Sequence, residues 1–197
     1  MRTTRAIGSL IAAALLLAGC AARPPPAAPD AWPQRLQQLQ SAQAWDLAGR
    51  AAGAVGSQGW QANLNWQQAG ELAHVRLSGP LGAGALALSL GPSGLTIDAP
   101  ADGAASPPPA DLLEQRLGFS PPFARLRYWL LGVPAPGSSF DLTRNAQERA
   151  AHIGQDGWEI DYTEYMRVGA DVLPRRLTLR HEAVRVRVAV DRWTAPR

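Results

Sequence analysis

The 197-residue chain has a single cysteine, three histidines and no lysine, so each of its 19 basic residues is arginine. One cysteine leaves no partner for an intrachain disulfide. The formal charge of +3 falls to +1 if the first nineteen residues leave with Arg2 and Arg5. So small a balance argues against nucleic acid as a partner. There is no Gly-x-Ser-x-Gly elbow and no Walker-type glycine loop, which removes the familiar hydrolase nucleophile and any nucleotide-driven step. His74, His152 and His181 sit singly in alternating segments, where a surface or hydrogen-bonded imidazole is expected in preference to a metal ligand. Asp156, Glu159 and Asp161 are close in sequence, but Glu159 and Asp161 fall on the face opposite Trp158 and Ile160 and read as solvated. The expectation is therefore no catalytic residue, no metal, no cofactor and no enzymatic activity.

What is present begins at the N-terminus. Arg2 and Arg5 form a basic segment, Ile7 to Leu17 a short apolar one, and Leu17-Ala18-Gly19-Cys20 closes it with small residues before the lone cysteine. The run is too short to span a bilayer and reads as a signal peptide. Its end resembles a lipoprotein processing box, which implies cleavage before Cys20 and acylation of that residue. Ala21, rather than Asp, at the next position implies passage to the outer membrane, with the protein lipid-anchored and facing the periplasm. Residues 1–19 are thus expected to be a signal, residues 20–31 a Pro-rich extended tether, and residues 32–197 a single domain.

Along that domain, Trp32, Leu36 and Leu39 recur at helical spacing behind Pro33. From Trp45 the period becomes two. Trp60, Ala62, Leu64 and Trp66 share one strand face; Ala73, Val75 and Leu77 share another after a turn at Gly70; Leu86, Leu88 and Leu90 continue the series up to Gly91-Pro92-Ser93-Gly94. A Pro-rich loop at 99–109 ends this run. Two short helices are then predicted, one from Pro109 through Leu112, Leu113 and Leu117 to Gly118, the other from Pro121-Pro122 through Leu126, Trp129 and Leu130 to Gly132. Strands resume near Arg149, turn at Gln155-Asp156-Gly157, and end with Val184, Val186, Val188 and Val190 alternating with Arg185, Arg187 and Ala189. Simple parity puts Trp193 on the arginine side unless a bulge or a strand end intervenes near Asp191. Many short strands with inserted helices predict a mainly β, α+β fold: a curved, incomplete antiparallel barrel with a short helical lid and an N-terminal helix.

Seven tryptophans are spread through this pattern, several on the leucine-bearing sides. A curved sheet under two helices either closes on such side chains or leaves a cavity lined by them. Trp66-Gln67-Gln68-Ala69-Gly70, Gly79-Pro80-Leu81-Gly82, Trp129-Leu130-Leu131-Gly132-Val133-Pro134, Gly157-Trp158-Glu159-Ile160-Asp161-Tyr162 with Tyr165, Leu173-Pro174 and Val186-x-Val188 ending at Trp193 occur in an order that resembles the LolB family over about residues 32–193. These are the outer-membrane receptors of bacterial lipoprotein sorting. The resemblance implies an incomplete barrel with a helical lid, a periplasmic LolA-like carrier and acylated lipoprotein cargo as partners, and delivery to the inner leaflet of the outer membrane. It implies that Leu81, flanked by Pro80 and Gly82, is the apolar tip of a membrane-insertion loop, which the turn chemistry around it suits. It also points to Trp32, Trp66, Trp129, Trp158 and Trp193 for an acyl-chain cavity, to which Leu113, Leu126 and Leu130 of the lid helices are added from their spacing. A monomer is expected. The alternative is a structural or assembly lipoprotein of the envelope with a closed β core and no lipid cargo.

Overall fold

The computed structural model describes residues 31–79, 85–97, 109–194 and 196. The signal, Cys20, the tether up to position 30, the loop tip Pro80-Leu81-Gly82 and the Pro-rich stretch 99–108 lie outside the described residues. Those described belong to one compact unit, Ala31–Arg197.

Helix α1 (Trp32–Gln40) buries Trp32 and Leu39 on one side and keeps its glutamines on the other. Ten strands follow among the described residues: β1 (Ala44–Val55), β2 (Gln58–Ala69), β3 (Leu72–Ser78), β4 (Leu86–Gly91), β5 (Gly94–Ile97), β6 (Phe140–Arg144), β7 (Ala150–Gln155), β8 (Trp158–Val168), β9 (Asp171–His181) and β10 (Val184–Thr194). Helices α2 (Pro109–Leu117) and α3 (Phe123–Leu131) stand between β5 and β6. Gly118 and Gly132 end these two helices with φ of +82° and +81°, the left-handed conformation that glycine adopts without steric cost.

All neighbouring strands pair antiparallel, in the order β5-β4-β3-β2-β1-β10-β9-β8-β7-β6. The first strand therefore lies at the centre, joined to the last, and the ends of the sheet are β5 and β6. A sheet of this width with free ends is an incomplete barrel. Its inner face is the core: Leu47, Leu64, Trp66, Val75, Leu77, Leu88, Ile153, Ile160, Leu177, Leu179, Val188 and Val190 are all buried there. The opposite face carries Arg50, Arg76, Arg176, Arg185 and Arg187, all exposed.

Of the register shifts in the sheet, two re-aim aromatic side chains. Ala48 pairs with Arg192 and Gly49 with Val190, so Asp191 is an extra residue without an opposite number on β1. That bulge reverses parity once and returns Trp193 to the inner side, where it is 7% exposed. A second shift around Glu164 lets Tyr162 and Tyr165, three residues apart, both turn inward. Strand β6 begins well before Arg149 and is not foreshadowed by periodicity. It is an edge strand with most residues exposed, so no buried face imposes an alternating pattern on its sequence.

Candidate functional site: an apolar cavity under the helical lid

Helices α2 and α3 cover part of the inner face of the sheet. Between them and the strands lies a partly covered cavity of about 70 Å³. Its walls come from the lid side through Leu117, Phe119, Pro121, Pro122, Phe123, Leu126 and Leu130, and from the sheet through Ala51, Trp60, Leu64, Trp66, Val75, Leu77, Trp158, Leu179, Val186 and Val188. Every one of these side chains is apolar apart from the indole N–H groups, and two of those are occupied. Trp60 Nε1 donates to the Leu117 carbonyl at 3.1 Å, and Trp66 Nε1 donates to Gln68 Oε1 at 2.9 Å. A chamber with such walls offers nothing to a polar ligand and welcomes an aliphatic one.

Of the residues singled out in the sequence, Trp66, Trp158, Leu126 and Leu130 line this cavity. Trp129, Trp193, Trp32 and Leu113 are buried but lie off its walls. Their places are decided by polar handles and by depth. Trp129 is fully buried and its Nε1 donates to Gln155 Oε1 at 2.8 Å. Gln155, itself buried, also accepts from the Ala135 backbone N–H and donates to Ala135 O and Ser138 Oγ. Tyr162 Oη donates to the Trp129 carbonyl at 2.8 Å. Burial therefore pushes the Tyr162 phenol well above its ordinary pKa, and Tyr165, which donates to Ala150 O, is raised by the same cause. Trp193 Nε1 is bound to Pro174 O at 2.9 Å. Trp32 opens α1, which is tied to the segment after α3 by Gln40 Nε2 donating to Pro134 O.

Sequence reasoning passed over Trp60, Leu117, Phe119 and Phe123 as cavity residues. Trp60 had the signal, since it shares the strand face of Leu64 and Trp66. Its ring lies over Gly53, directly opposite on β1. A Cβ at position 53 would stand only 2.4 Å from that ring, so the absence of a side chain is what lets the indole lie flat and reach α2. Phe119 and Phe123 bracket Pro121-Pro122 in the connection between α2 and α3, and an aromatic on each side of a rigid turn is a readable hint. Phe119 packs on Trp158 and Phe123 on Trp66, with centroids 6.1 and 6.2 Å apart.

The acidic cluster of β8 is structural. His152 lies between Glu159 and Asp161 at 2.7 and 2.8 Å, and Arg180 hydrogen-bonds Asp161. Burial raises the Asp161 carboxyl, but the hydrogen bonds from His152 and Arg180 outweigh it and hold the group below its ordinary pKa. His181 stacks on Trp158 and contacts Gly157 O, and His74 contacts Ser89.

The molecule belongs to the class of incomplete antiparallel barrels whose apolar inner face meets a helical lid around an apolar chamber. A LolA superfamily protein from Nitrosomonas europaea has this fold, with a TM-score of 0.52 over 83% of this chain and 92% of its own at 7% identity. Residues 43–193 match the family model described as outer membrane lipoprotein LolB. Among curated proteins, the outer-membrane lipoprotein LolB of Nitrosococcus oceani is 36% identical over 189 residues, covering 91% of this chain and 92% of its own. That of Chromohalobacter salexigens is 32% identical over 184 residues, covering 90% and 85%. The chain belongs to the LolB family.

Proposed function

We infer that this LolB-family protein, an outer-membrane lipoprotein receptor in lipoprotein sorting that meets a LolA-like carrier and lipoprotein cargo, takes the acyl chains of that cargo into the cavity beneath α2 and α3. It then releases them into the inner leaflet of the outer membrane without nucleotide and without catalysis. The observation that carries this reading is the wholly apolar wall of the chamber. Each buried methylene is worth about 0.8 kcal/mol, so multi-chain cargo needs such shelter to cross water, and a downhill sequence of affinities suffices to move it. The chamber as it stands holds about two water-sized units at roughly 30 Å³ each. Loading therefore requires α2 and the start of α3 to move off the sheet.

In this reading residues 1–19 are removed, Cys20 is acylated, residues 20–31 tether the monomeric domain 32–197, and Leu81, which follows Gly79-Pro80 in the sequence, touches the bilayer during release. One inserted leucine contributes about 1.5 to 3 kcal/mol at most, which suits a transient contact. The small chamber volume is the one observation that favours the alternative of a closed-core assembly lipoprotein. The deciding experiment transfers a radiolabelled lipoprotein from a purified soluble carrier to the full-length acylated chain in vesicles, with no nucleotide present. Transfer is expected; none under any lipid composition selects the alternative. Leu81→Glu should still accept cargo from the carrier but fail to pass it to the vesicle lipid, and unimpaired delivery would remove Leu81 from the mechanism.

A further inference from the structure

Beside this chamber lies a second, larger concavity of about 450 Å³. It runs between the outward side of α3, with Phe123, Ala124, Arg127 and Tyr128, and the ends of β3, β4 and β5, with Ala73, Leu90 and Leu95. Phe123 and Trp66 belong to both: each lines the chamber on one side and this groove on the other. The partition between the two spaces is therefore a pair of aromatic rings, 6.2 Å apart and inclined at 47°.

The two rings are not held alike. Trp66 is buried, stacked on Trp45 at 5.7 Å and bound through Nε1 to Gln68. Phe123 is half-buried and has no polar anchor on its side chain; it is the first residue of α3, directly after Pro122, whose side chain caps nothing. A ring in that position can rotate aside without breaking a hydrogen bond.

We propose that this groove is the entry channel and outer seat for a cargo acyl chain, and that Phe123 is the gate through which the chain's end passes into the chamber. The inference rests on the acyl-receptor reading above and adds where the chain lies. Volume supports it: the groove holds about fifteen water-sized units against two in the chamber, so most of a long chain finds room only there. Chemistry supports it too. The floor is leucine, alanine and aromatic apart from the buried Gln68, whose amide is occupied by Trp66 Nε1, Gly70 O and Leu72 O, and charge appears at the margin, where Arg127 has its guanidinium 5.0 Å above the Tyr128 ring and Glu71 is exposed. An aliphatic chain fits the floor, and Arg127 donates to the ester carbonyls at its head. Continuity with the chamber through Phe123 and Trp66 selects a chain over a folded protein partner.

The test uses the full-length acylated chain in nanodiscs of phosphatidylethanolamine and phosphatidylglycerol. It receives a synthetic diacylated lipopeptide with a diazirine at mid-chain or at the chain end, and adducts are mapped by mass spectrometry after irradiation. Mid-chain probes should label Leu90, Leu95 or Ala124, and end probes Leu179 or Val186. Leu95→Asp, on the edge strand, and Ala124→Asp, at an exposed position of α3, should each lower total labelling roughly tenfold, the effect of losing about one leucine's burial. Phe123→Ala should raise end-probe labelling in the chamber, and Phe123→Trp should lower it. Labelling confined to chamber residues and unchanged by Leu95→Asp and Ala124→Asp overturns the groove while sparing the receptor reading. No adduct anywhere in the chain overturns both.

Discussion

The two halves of the inner face are packed by opposite rules. Around β7 to β10 the large aromatics are pinned by directional bonds: Trp129 to Gln155, Tyr162 to the Trp129 carbonyl, Tyr165 to Ala150 O and Trp193 to Pro174 O. Around β1 to β3, under α2 and the start of α3, the walls are mostly Leu, Val, Phe and Pro; Trp66 is bound within its own strand to Gln68, and Trp60 ties α2 to the sheet through Leu117 O. Buried polar bonds fix one arrangement because leaving any of them unmade is costly. Non-directional apolar contact tolerates rearrangement and can be exchanged, contact for contact, with an aliphatic ligand. The first half is built to stay, and the second to open.

The contrast can be broken most severely at its rigid end. Trp129→Ala removes a fully buried side chain and should cost about 3 to 5 kcal/mol in urea unfolding; a loss under ~1 kcal/mol would mean that this half is no stiffer than the other. Gln155→Leu keeps the volume but strands the Trp129 indole N–H and the Ala135 N–H. At roughly 1 to 3 kcal/mol for each unsatisfied buried donor, the expected loss is about 2 to 6 kcal/mol. On the mobile side, Trp60→Phe deletes one hydrogen bond, with a global cost near ~1 kcal/mol. Amide exchange in α2 should quicken far more than exchange in β8 and β9, and a uniform increase would sink the idea of a separately opening lid.

The smallest effect is electrostatic. The folded-state pKa of Asp161 lies below its ordinary value, so the stability it contributes is present above about pH 4, near the unfolded pKa, and is lost as pH falls through the folded one. Asp161→Asn should therefore lower stability at neutral pH by a small, salt-sensitive amount, because the carboxylate is a third exposed. That difference should vanish as the solution is acidified below the carboxylate range. A cost that persists in acid would assign the residue a packing role in place of a charged one.

Much of the architecture is legible in the residues because it depends on neighbours in sequence. Alternation at Trp60 to Trp66 and Val184 to Val190 marks the buried face, and Gly118 and Gly132 stop the lid helices where the pattern says they should. The LolB-like order of short motifs adds the family. The site is legible only in part, and the reason shows in the tryptophans. Trp66 and Trp129 look alike in the sequence, each on the apolar side of its element. One meets a void and the other meets Gln155, twenty-six residues away.

The sequence alone determined most of the side chains that would be hidden, since periodicity fixes the face a residue occupies. Tertiary structure decided what stands opposite each of them. The unpaired Asp191 turns Trp193 inward, Gly53 leaves room for the Trp60 ring, and Gln155 draws Trp129 away from the cavity. These outcomes rest on contacts between segments distant in the chain, where the volume and hydrogen-bonding needs of one residue are met by another that no local pattern can name.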